Sequence, residues 1–132
     1  MSIENHTVSQ KIIDRFENFN KALESLSVIK KGRGFSELEK TGLIMRFIFT
    51  LEMSWKLLQD VLEFEGNDIK GVKDVVRISL QRGFITNGEI WMEMIDKRNI
   101  MAHQYDEDKS SKIFLRVKNF YVTEIYNLRK FI

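Results

Sequence analysis

A chain of 132 residues with 21 Lys and Arg against 19 Asp and Glu has the length of one domain with its own core, residues 1–132. The two surplus positive charges are scattered rather than blocked, so they do not by themselves point to nucleic acid. Cys and Pro are both absent, which excludes a disulfide framework and thiolate chemistry and removes the commonest helix breaker.

Met1-Ser2-Ile3-Glu4-Asn5-His6 has neither the basic start nor the apolar run of a signal peptide. Thr7-Val8-Ser9-Gln10 reads as a capping box that opens a first helix, roughly Val8 to Lys30. Ile12, Ile13, Phe16, Phe19, Leu23 and Leu26 recur at helical steps on its buried face. Lys30-Lys31-Gly32-Arg33-Gly34 closes it.

Ser36-Glu37-Leu38-Glu39 is a second capping box, and the helix it starts runs to about Glu65. Leu43, Phe47, Leu51, Leu58, Val61 and Leu62 face one way, with Thr50 and Ser54 as small residues that allow close approach. Met45, Phe49 and Met53 form a second apolar row on the charged side, beside Glu52, Lys56 and Asp60. Either a neighbouring helix covers that row or it meets a further surface, with Phe49 as the anchor. Leu43 to Trp55 is the most apolar run, but Arg46 and Glu52 interrupt it and it is too short to span a bilayer. A soluble cytoplasmic protein is expected.

Gly66 to Gly71 is a turn-rich connection. Val72, Val75, Val76, Ser79 and Leu80 then make a short helix that Gly83 stops. Lys73, Arg77 and Arg82 lie on its outer side, as a phosphate-facing strip or an ordinary solvated face. Thr86-Asn87-Gly88-Glu89 is a third capping box. Past Tyr105, the acids Asp106, Glu107 and Asp108 suit the first turn of a last helix with Phe114, Val117, Tyr121, Leu128 and Ile132 inward. No stretch shows a strand period. The expected fold is all-α, an antiparallel bundle of four main helices plus one short helix.

The helix that begins near Asn87 carries the anomaly. At about 100° per residue, Trp91, Met94, Ile95 and Ala102 share one narrow stripe, and Arg98 stands in the middle of it. A guanidinium cannot be neutralised and costs several kcal/mol to bury alone. It must pair inside the bundle or line a polar cleft. Met92, Asp96, Asn99 and His103 make a separate row, about 140° round from Arg98 for His103, with Asp96 and Asn99 placed to orient the imidazole. One copy does not bring Arg98 and His103 onto one face; two copies about a two-fold axis can.

Arg98-Asn99, His103 and Tyr105 together resemble the Arg–His motif of the HEPN superfamily. Phe49-Thr50-Leu51-Glu52-Met53-Ser54-Trp55-Lys56 resembles the Phe-x-Leu-x-x-x-Trp-Lys signature of its nucleotidyltransferase substrate-binding branch. Phe84 to Met94 is similar to that branch's lead-in to the motif. The resemblance implies a homodimeric bundle encoded beside a minimal nucleotidyltransferase (MNT), with both protomers' motif residues lining one cleft.

In active members such a cleft is a metal-independent RNase. By that resemblance Arg98 and His103 are catalytic, Asn99 positions phosphate or imidazole with Asp96 in support, and Tyr105 is the residue the nucleotidyltransferase modifies with AMP. RNA is then the substrate, and neither a metal nor a cofactor is expected. A second reading of the same resemblance is a non-catalytic subunit that presents substrate to the nucleotidyltransferase. Without the motif, His103 reads as a helix-end histidine, Arg98 as a structural ion pair with Asp96, Glu93 or an acid from another helix, and Tyr105 as an aromatic plug over the bundle end. Trp55 and Trp91 read as core.

Overall fold

A computed structural model describes residues 9–31, 34–102 and 107–131. Its elements run α1 (Gln10–Ser25), a 3-10 turn (Ser27–Lys31), α2 (Glu37–Phe64), α3 (Val72–Arg82), α4 (Gly88–Ala102), α5 (Glu107–Arg116), a π turn (Val117–Tyr121) and α6 (Val122–Phe131). The last three form one rod, so the bundle has four main helices and the short α3. No strand occurs among the described residues.

Ser9 caps α1 through its hydroxyl, which accepts the Ile12 N–H at 3.4 Å. The cap thus sits inside the expected Thr7 box, and Thr7 lies outside the described residues. The α-helix also ends before Lys30. The Ser25 hydroxyl turns back onto the Ala22 carbonyl at 2.6 Å, and the chain tightens to three-residue bonds, Leu26 N–H to Leu23 O and Ile29 N–H to Leu26 O. That turn carries Leu26 and Ile29 into the core, both fully buried.

The helix α2 is the axis, packing against α1, α3, α4, α5 and α6. Its capping box is complete: Glu39 N–H donates to the Ser36 hydroxyl and Ser36 N–H to the Glu39 carboxylate, at 3.2 and 3.0 Å. Ten of its residues are buried, including Thr50 and Ser54. The Thr50 hydroxyl shares its proton between the Arg46 and Ala22 carbonyls, so a polar side chain is satisfied at the close α1–α2 seam. Asp60, on the charged side of α2, pairs with Lys11 and Arg15 of α1 rather than facing water.

Gly83 ends α3 in the left-handed region at φ 80°, and the Phe84 N–H returns to the Ser79 carbonyl at 2.9 Å. Phe84 and Ile85 then enter the core. Leu80 departs from the expected buried set, and Ile78 takes its place. Leu80 lies over the start of α4, where a Cβ on Gly88 would stand 3.1 Å from its Cδ2. The third cap also shifts by one residue, because Asn87 Oδ1 accepts the Ile90 N–H at 3.2 Å.

In the C-terminal rod the π turn adds a residue to one winding. Tyr121 and Val122, adjacent in sequence, are thereby both buried, and Ile125 and Leu128 continue the same stripe. Tyr126 donates its hydroxyl to the Leu23 carbonyl and Arg129 its Nε to Asn20, tying the rod to α1.

Candidate functional site at the Arg98 helix

The helix α4 buries Trp91, Met94, Ile95 and Met101, and Arg98 projects from that buried side, its side chain 29% exposed. Its partner is the acid from another helix: Nη1 stands 3.5 Å from Oε1 of Glu52 on α2. The Trp55 indole donates to the other oxygen of Glu52 at 3.0 Å, and the guanidinium carbon lies 6.0 Å from the centre of the Trp55 ring. Glu52 and Trp55 are three residues apart, one turn of α2, which is why a single helix face supplies both. Trp55 is half-buried and holds Arg98; Trp91 alone is core. Glu52 takes one of the five N–H groups of the fork, so a phosphate oxygen can compete for the rest.

Met45 and Phe49 stand on the same side of α2 as Glu52, 48% and 58% exposed, whereas Met53 is half-buried against the core. Exposed apolar side chains next to a half-buried guanidinium make a surface suited to contact with another molecule. Asp96 and Asn99 are both exposed. Asp96 lies 3.7 Å from Lys73 of α3, so its carboxylate has a lysine for a neighbour. His103 and Tyr105, the predicted base and modification site, lie outside the described residues.

The cations of α3 do not form an open strip. Lys73 faces Asp96, Arg77 faces Asp74 and Arg82 faces Glu65, so a nucleic-acid phosphate would meet carboxylates as well. Among the described residues no three His, Cys, Asp or Glu side chains cluster as metal ligands. No helix there is long and apolar enough to cross a membrane.

On the opposite flank of α4, Glu93 receives the Arg116 fork at 3.0 and 2.7 Å and Lys97 at 3.3 Å. The Arg116 contact, opposed by burial, holds the Glu93 carboxyl down at about 2, against an ordinary 4.5. The buried Tyr121 hydroxyl faces the same carboxylate without a hydrogen bond of good geometry. Burial first, then Glu93, pushes that phenol up to about 12. Periodicity shows the Glu93–Lys97 pair four residues apart, but nothing local signals Arg116.

A carboxyl that ionises more readily in the folded state stabilises the fold above its unfolded pKa. The contribution of Glu93 is therefore complete above about pH 4.5 and fades as the pH falls toward its folded value. Glu93→Gln is expected to remove this slope and lower stability near neutral pH by about 2 kcal/mol, discounted for the partly exposed pair. Urea midpoints of both proteins at neutral and acid pH check it: equal acid slopes would count against the assignment.

The sequence profile of the family described as nucleotidyltransferase substrate binding protein like matches residues 14–132. The chain belongs to that family. It is thereby a member of the HEPN superfamily. A relative described as the probable ribonuclease HepT of Haemophilus influenzae is 29% identical over 94 residues, a match covering 67% of this chain and 64% of the relative. The match thus spans under two-thirds of that relative's length. A crystal structure of a Thermus thermophilus protein superposes with a TM-score of 0.74 at 29% identity, over 83% of this chain and 94% of that one. The helical architecture of this family member therefore recurs in a solved structure.

Proposed function

We propose that this family member is the HEPN half of a toxin–antitoxin pair, a metal-independent endoribonuclease restrained by a separately encoded minimal nucleotidyltransferase. The observation that carries the reading is Arg98, a guanidinium standing in the buried stripe of α4 and held at the surface by Glu52 and Trp55. The ribonuclease description of the Haemophilus influenzae relative supports it.

Two copies meet over the exposed Met45 and Phe49 side chains, with Met53 behind them, and pool their Arg98 and His103 residues in one cleft. One His103 takes the proton of a ribose 2′-hydroxyl, and the freed oxygen bonds to the adjacent phosphorus. The bond to the 5′-oxygen breaks, and the second His103 protonates that leaving oxygen. Arg98 stabilises the charge that gathers on the phosphoryl oxygens in between. Asn99 positions the phosphate. The nucleotidyltransferase transfers AMP from ATP to the Tyr105 hydroxyl: the phenol oxygen bonds to the α-phosphorus, pyrophosphate leaves, and the added anion repels RNA.

A second reading has its own support. The Glu52 carboxylate already occupies part of the Arg98 fork, and the family description names substrate binding. In that reading the chain presents substrate to the nucleotidyltransferase and cuts nothing. Cleavage of a structured RNA by wild type and His103→Ala separates the two: loss in the mutant supports the nuclease, and an inert wild type supports the subunit. After co-expression with the nucleotidyltransferase encoded beside it, an intact-mass gain of one AMP that disappears in Tyr105→Phe is expected. An unmodified Tyr105 would remove the restraint mechanism.

A further inference from the structure

Lys97 and Arg98 are neighbours in sequence but point about 100° apart around α4. On the Lys97 side, away from the Arg98 surface, α4 and α5 enclose a cleft of ≈ 330 Å³. That volume lies at the lower end of the range for small-molecule sites. Its lining divides by chemistry. Ile100, Met101, Ile113 and the Tyr121 ring form an apolar floor, and Lys97, Lys112 and Arg116 form a cationic rim. Within this floor Met101 and Tyr121 are buried, and Ile100, 57% exposed, forms its outer edge.

From this division we propose that the α4–α5 cleft binds a small phosphate monoester with a flat, weakly polar body, a nucleoside monophosphate by class. Charge supports the phosphate. Among the described residues, the carboxylate paired with this rim is Glu93, which grips Arg116 and Lys97; the three cations exceed it by two charges, close to the charge of a phosphate monoester at neutral pH. The Glu93 grip also holds the Arg116 fork in place, with its guanidinium 4.3 Å from the Phe120 ring centre, so little side-chain freedom is lost on binding. The floor supports the flat body. A thioether, a phenol ring and two branched alkyl groups offer polarizable contact and little hydrogen bonding, which suits a base and not a bare sugar. The π turn that places Tyr121 at the floor is a feature that recurs at functional sites. The inference does not rest on RNA cleavage, because Arg98 is not among the residues that line the cleft.

Calorimetric titration of the full chain alone with AMP, adenosine and ribose 5-phosphate tests it. AMP is expected to bind tighter than about 1 mM, with each half-ligand at least about tenfold weaker because it reaches only the floor or only the rim. Lys112→Glu is expected to weaken AMP about tenfold with the far-ultraviolet circular dichroism unchanged. Arg98→Ala is expected to leave AMP affinity as it was. Ile100, Met101 and Ile113 methyl resonances should shift on AMP addition. No AMP binding at millimolar concentration, equal binding of ribose 5-phosphate, an unaltered Lys112→Glu, or a loss of affinity in Arg98→Ala would each overturn the proposal.

Discussion

Under the proposed nuclease reading, replacing Arg98 by Ala is expected to reduce single-turnover RNA cleavage by about 10²–10³-fold, the usual loss when one positioned donor to a developing oxyanion is removed. The guanidinium is not a support of the fold to the same degree. Its contact with Glu52 is 3.5 Å long and both side chains are 29% exposed, so the pair contributes roughly 0–1 kcal/mol. Its removal leaves Glu52 with the Trp55 indole still donating to it. The expected signature is thus a large kinetic loss with a small change in melting midpoint. Arg98→Lys should also be poor, since an ammonium keeps the charge but lacks the planar fork. Cleavage at the wild-type rate in Arg98→Ala would exclude Arg98 as the group that stabilises the transition state, whatever its effect on stability.

Phe47→Ala is expected to lower stability by about 3–5 kcal/mol. Phe47 is fully buried at the centre of α2, and its ring stacks on Tyr121 at 5.7 Å with a 27° interplanar angle. Truncation removes that aromatic contact and leaves a cavity between the axial helix and the π turn, where neither backbone can collapse to fill it. Against a typical total of about 5–15 kcal/mol, this approaches loss of the fold. Thermal and urea melts measure it; a cost below about 1 kcal/mol would mean that the seam between α2 and the π turn is not packed as described. Tyr121 also floors the α4–α5 cleft, so the same substitution should weaken AMP binding.

The legible parts of this protein were those encoded by neighbours along the chain. The Ser36 box and the apolar repeats of α1, α2 and the C-terminal rod depend on residues within one or two turns, and the structure follows them as far as Leu128, Ile132 lying outside the described residues. The misses also have local causes. Ser25 diverted the end of α1 by bonding backward, and Asn87 outcompeted Thr86 as a cap because its side chain reaches the Ile90 N–H. Leu80 left the core because Gly88 gave it a place over the next helix.

The candidate site divides in the same way. That Arg98 must be paired or line a cleft followed from the α4 wheel, since a permanent charge in an apolar stripe admits no other solution. Which acid would pair with it did not follow, because Glu52 lies 46 residues away and several carboxylates were available. The Glu93–Arg116 lock and the cleft beside it span 23 residues and depend on how α4 meets the rod.

By itself the sequence determined helix count, caps and inward faces, because hydrogen bonding and hydrophobic periodicity act over a turn or two. Only the tertiary structure decided which charges meet, which aromatic ring carries Arg98, and where an apolar floor gains a cationic rim. Those depend on the angles and offsets at which α2, α4 and the rod pack, and no local repeat encodes them.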